Sequence, residues 1–199
     1  MSEDDFALPT RCEPWDLKEL AAHLWRSLYR IPVALDDAAP AEADTDGVTY
    51  WRSYDPADSP TIAEHARETA ASHPSGRSLA DAFAQVCTEA VERARAERPE
   101  RIIRVWWGPT LRLDEFLKTR VLETVVHGLD MTAALGSDPV ASEDGLALVA
   151  ETLTGLLGAA PPTGWSTIDL AEKGTGRVPL TAADEDALGP LAEAFPLLR

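Results

Sequence analysis

Thiols are scarce in this sequence: Cys12 and Cys87 are the only cysteines among 199 residues, far apart and without a Cys-x-x-Cys spacing. That excludes a disulfide framework and a zinc cluster built on cysteine, both of which need paired or grouped thiols. Long apolar runs are missing too. None reaches the roughly 18 residues that a membrane-crossing helix requires, so no membrane partner is expected. Positive charge is short, with 18 Lys and Arg against 34 Asp and Glu and a net charge of −16. A nucleic-acid partner would call for a basic stripe against phosphate, and none is visible. The acidity reads instead as a solvated, soluble surface. Met1 to Asp5 is acidic and lacks the basic and apolar regions of a signal peptide, which points to the cytoplasm. Histidine is limited to His23, His65, His73 and His127, and no internal repeat is present.

What remains is an ordinary globular composition, 45% hydrophobic, and a length that holds one domain or a main domain with a small appendage. Asp16 to Tyr29 predicts a first helix, with Leu17, Leu20, Ala21, Leu24 and Leu28 at helical spacing around His23. Leu35 to Gly47 predicts an exposed acidic loop, and Thr49 to Asp55 an aromatic segment that packs. A second helix is expected from a Ser59 cap to the breaker at His73 and Pro74. A third runs from a Ser78 capping box to Glu97. Arg101 to Leu113 reads as a hairpin. Asp114 is expected to cap a long helix ending at Gly136, and a fifth helix spans Glu143 to Leu157. The remainder predicts a strand at Trp165 to Leu170, a turn at Gly174 to Arg177 and a helix from Thr181 to Phe195. The pattern is mainly α: a helical bundle over residues 1–140 and a short α/β tail over 141–199.

One stretch stands out. Thr119 to Asp130 is apolar through Val121, Leu122, Val125, Val126 and Leu129, yet carries Arg120, Glu123, His127 and Asp130. Glu123 and His127, four residues apart, share one helix face, and Arg120 and Asp130 extend it at either end. A carboxylate and an imidazole on a buried face cost several kcal/mol unless paired, hydrogen-bonded or metal-bound. His23 also lies beside the apolar face of its helix. Two histidines and a carboxylate meeting in a bundle core would make a three-ligand site with one position left for water or substrate, the pattern of a catalytic metal centre. Other readings of the same residues stay open. Glu123 can pair with Arg120 in a purely structural bundle, and His127 can be a hydrogen-bonded core histidine. His65 and His73 read as surface residues. Cys12 reads as a packed structural thiol, and the tryptophans as core and bundle-end packing.

Three pieces of sequence resemble the mycothiol-dependent maleylpyruvate isomerase family, whose metal-binding domain is a DinB-like four-helix bundle. Pro9 to Leu24 (PTRCEPWDLKELAAHL) is similar to the family's Thr-x-Cys-x-Gly-Trp-x-x-x-Asp-Leu-x-x-His pattern, with Pro14 where glycine is usual. Leu117 to Met131 (LKTRVLETVVHGLDM) is similar to its Arg-x-x-Glu-x-x-x-His-x-x-Asp-Leu block, and Thr175 to Leu180 with Phe195 to Leu197 to its short tail. The resemblance implies a divalent metal, zinc by preference, held by His23, Glu123 and His127, with Asp130 supporting or capping behind them. It implies Arg120 and Arg177 as catalytic residues, Arg120 beside Glu123 or an anionic substrate and Arg177 at such a substrate. It implies mycothiol as the thiol cosubstrate of an isomerase or S-transferase acting on a small electrophilic, carboxylate-bearing compound. A non-catalytic metal- or small-molecule-binding bundle with a sensing or partner role is the alternative. The family has about one helix before the Thr-x-Cys block, where nine residues precede Thr10 here. Two readings follow: the start is placed too late, or the first bundle helix is missing and its groove is covered by a homodimer partner or by Trp106 and Trp107.

Overall fold

Five helices of 14 to 22 residues dominate the computed structural model, which describes residues 1–198. Helix α1 (Leu17–Asp36) is the central one. Asp16 caps it, accepting from the Glu19 amide while the Glu19 side chain answers the Asp16 amide, a complete capping box. The helix outruns its expected end at Tyr29 and continues through Pro32. Proline removes one helical hydrogen bond, but Ile31, Ala34 and Leu35 are buried against Leu113 and Phe116, and that burial holds the last turns in place. Only Asp37 to Asp46 remains of the expected loop before α2 (Gly47–Arg52).

Helices α3 (Ser59–Ser72) and α4 (Gly76–Arg95) both pack on α1. Their caps differ from expectation. Ser59 is already helical and caps nothing, and Ser75 rather than Ser78 opens α4 by accepting from the Ser78 amide. Gly76 is required because Phe6 lies on it: a Cβ there would fall 2.1 Å from the Phe6 ring. Strands β1 (Ile102–Arg104) and β2 (Thr110–Arg112) form the expected antiparallel hairpin, Ile103 opposite Leu111. Helix α5 (Leu113–Ala134) follows at once. Asp114 sits inside its first turn paired with Arg112 instead of capping it.

Helix α6 (Glu143–Leu157) is capped by Ser142 and stopped by Gly158 in the left-handed conformation. Its Val149 and Leu153 are buried with Leu122, Val125 and Val126 of α5 and with Leu170. The face of α5 turned away from α1 is thus covered within the chain, by α6 and α2, while Trp106 stays 63% exposed. The strand expected at Trp165 to Leu170 is instead the start of α7 (Thr167–Gly174). Ser166 and Asp169 form a capping box there, and this local cap prevails over the short apolar run. Helix α8 (Ala182–Leu188) ends at Gly189 and Pro190, and a 3-10 turn carries the chain on to Ala194. The fold is therefore mainly α and DinB-like, and its two-stranded sheet lies between α4 and α5. No helix among the described residues is long and apolar enough to cross a membrane.

Candidate metal centre

Helices α3 and α5 both lean on α1, and a cavity of about 1030 Å³ opens between them. On its floor, α1 brings His23 to the Glu123 and His127 pair of α5. His23 Nε2 lies 3.0 Å from Glu123 Oε2, and His127 Nε2 lies 3.3 Å from the same oxygen. One ligand atom from each residue falls within 4.8 Å of the others. With metal-ligand bonds of about 2.0–2.1 Å, tetrahedral donors stand about 3.3 Å apart, so two imidazole nitrogens and a carboxylate oxygen at these separations fit one divalent ion. The three side chains are 12 to 16% exposed, all toward the cavity they line. Trp15 stacks at a tilt on His23, ring centres 4.8 Å apart.

Electrostatics separate the two histidines. Burial dominates at His23 and holds its pKa below the usual value in spite of Glu123. Burial pushes His127 the same way, but hydrogen bonds to Asp130, Cys12 and Glu123 outweigh it and raise its pKa well above the usual value. Burial pushes Glu123 up, yet the two histidines outweigh it and keep the carboxyl ionised.

Behind His127 stands Asp130, as the resemblance implied, and around it lies a layer that local sequence spacing did not reveal. Asp130, fully buried, accepts from His127 Nδ1 at 3.0 Å. Arg177 clamps the same carboxylate in a fork, Nε to Oδ1 at 3.2 Å and Nη2 to Oδ2 at 2.9 Å, and Arg11 adds a contact at 3.1 Å. Cys12 is drawn in as well. Its Sγ donates to Asp130 Oδ2 at 3.0 Å, accepts from Arg177 Nη2 at 3.3 Å and stands 3.6 Å from His127 Nδ1. Cys12, read as a structural thiol, is half-buried and is tied by these contacts to the groups that hold His127. The Cys12 and His127 positions are 115 residues apart, so no periodicity links them. The one sequence signal was the Thr-x-Cys motif itself.

Arg120 is placed elsewhere. Its guanidinium is buried and donates to Ser27 Oγ and Tyr50 Oη, each at 3.0 Å, and to Thr119 Oγ1. Among the described residues it has no ion pair, so the Arg120–Glu123 pairing of the structural reading does not form. His65 and His73, read as surface residues, are both half-buried.

A DinB-like helical bundle with a two-histidine, one-glutamate cluster open to a cavity defines the class of this protein. The chain belongs to the mycothiol maleylpyruvate isomerase N-terminal domain family, whose profile matches residues 1–132. No curated protein and no solved structure matches it.

Proposed function

We propose that this protein is a metal-dependent isomerase or S-transferase that uses a low-molecular-weight thiol, mycothiol, on a small electrophilic acid in the cytoplasm. The convergence of His23, Glu123 and His127 on the wall of a large cavity carries this reading. A divalent metal, zinc by first preference, supplies when bound a Lewis-acid position that lowers the pKa of a thiol and polarises a substrate oxygen.

The chain's own residues do the rest. Asp130 accepts the Nδ1 proton of His127 and so turns Nε2 toward Glu123 as a ligand atom. Arg177 and Arg11 hold Asp130 in that orientation. Arg177 is thereby a positioning residue, while Arg120 is the cation free to face a substrate carboxylate. In the isomerase form the thiol sulfur bonds to one carbon of a conjugated double bond and a proton reaches its partner carbon. The resulting single bond rotates, and loss of the same thiol and proton restores the double bond. In the transferase form a leaving group departs and the thioether remains.

His127→Ala is expected to abolish zinc binding, measured by elemental analysis after dialysis, and to abolish mycothiol-dependent turnover of an electrophile panel. Unchanged metal content in that variant would overturn the ligand assignment. Full metallation without turnover across the panel would favour a non-catalytic binding module.

A further inference from the structure

Beside the metal centre lies a smaller cavity of about 180 Å³ that shares His23 and Glu123 in its walls. Its cations are Arg26, Arg30 and Arg120. None of these three has an ion pair among the described residues; Arg52, Arg77, Arg95, Arg98 and Arg104 have none either, but those are exposed to water, whereas Arg26 and Arg30 are half-buried and Arg120 is buried. Arg120 is 7% exposed and meets only neutral hydroxyls, the Phe116 ring at 4.9 Å and the Tyr50 ring at 5.6 Å. Arg26 donates to Thr69 Oγ1, and Arg30 lies 5.0 Å from the Trp106 ring centre. Burial and the nearby charges of Arg26 and Arg120 together lower the pKa of Arg30.

Like charges gathered in a partly dry pocket are unfavourable unless an anion completes them. The other walls are aromatic: Tyr50, Trp51 and the exposed Trp106. The Trp51 indole N–H is buried with no partner among the described residues. Asp55 and Asp58 line the cavity at its exposed rim. The helical geometry orders the pocket relative to the metal centre. Arg26 and Arg30 follow His23 by three and seven residues on α1, about 4.5 and about 10.5 Å along its axis.

Resting on the function proposed above, we propose that Arg26, Arg30 and Arg120 form the substrate's carboxylate-binding pocket. It selects acids with a flat conjugated or aromatic body whose reactive carbon lies a few bonds from the carboxylate, toward His23 and Glu123. Arg177 does not serve this purpose, because Asp130 already occupies its fork.

The test uses the full-length zinc-loaded protein and trans-cinnamate as probe, with binding followed by calorimetry. Arg30→Gln and the double variant R26Q/R30Q are expected to bind cinnamate at least about tenfold more weakly, with zinc content unchanged and Arg30→Lys intermediate. Cinnamyl alcohol, the neutral analogue, should bind wild type weakly and be indifferent to the substitutions. Wild-type affinity of folded R26Q/R30Q for cinnamate overturns the proposal. Equal binding of the alcohol, or displacement of cinnamate by an equal concentration of inorganic phosphate, overturns it as well. Arginine-dependent cinnamate binding by a wild-type protein that takes up no zinc would leave the pocket standing and remove the metal reading, so the two failures are distinguishable.

Discussion

At the scale of single residues, His127 does two tasks with its two nitrogens. Nε2 faces Glu123, and Nδ1 is bonded to Asp130, which Arg177 and Arg11 fix. Removing such outer support typically weakens metal affinity by about 10- to 100-fold, and that loss is expected for Asp130→Asn in competition with a zinc indicator. The pKa directions add a proton count. Metal-free His127 has a raised pKa, so its contribution to metal-free stability is complete below about pH 6.5 and is lost as pH rises through the folded value. His23 has a lowered pKa and is the neutral partner. Zinc binding near pH 7 should therefore release a proton from His127 and tighten as pH rises. Calorimetry in buffers of different ionisation enthalpy measures the release, and Asp130→Asn should diminish it. The Glu123 and His127 pair was readable because residues four apart share a helix face. The Cys12 and Arg177 contacts were not, because they join separate segments: Cys12 lies more than a hundred residues from its partners, and Arg177 lies 47 residues from Asp130.

At the scale of elements, helix existence followed from periodicity and helix ends from contacts. Periodicity located the cores of α4, α5 and α6, but burial against Leu113 and Phe116 carried α1 past Tyr29, and a serine cap made α7 a helix where a strand was expected. The approach of Phe6 to Gly76 is a contact of the same non-local kind. Gly76→Ala should displace Phe6 and cost about 1–3 kcal/mol in urea unfolding. At the α7–α8 junction, the Asp184 carboxylate accepts from Lys173 Nζ at 2.7 Å, from Trp165 Nε1 at 2.8 Å and from the Thr181 amide and hydroxyl. Lys173 and these other donors hold it well below the ordinary carboxylate value of 3.8. Its stabilisation is thus present above that value and lost as pH falls further. Asp184→Asn should lower the urea midpoint at pH 7 and flatten its decline below about pH 4.

At the scale of the whole molecule, the metal centre depends on how α5 is gripped. Leu153 of α6 is fully buried in one cluster with Leu122, Val125 and Val126 of α5, and Leu122 and Val126 also line the cavity beside Glu123 and His127. Leu153→Ala is expected to cost about 2–5 kcal/mol in urea unfolding and, by loosening α5, to release zinc at a lower temperature. The sequence by itself determined the mainly helical class, the family and the helix face that bears Glu123 and His127. Each of these follows from local periodicity or a contiguous motif. Only the tertiary structure decided that His23 meets that face, that Cys12 and Arg177 converge on Asp130, and that Arg26, Arg30 and Arg120 surround one cavity. Those juxtapositions arise from the packing of α1 against α5 and of the Thr175–Arg177 segment against Asp130. Helical periodicity says which way a side chain points from its own axis, and only packing decides what it points at.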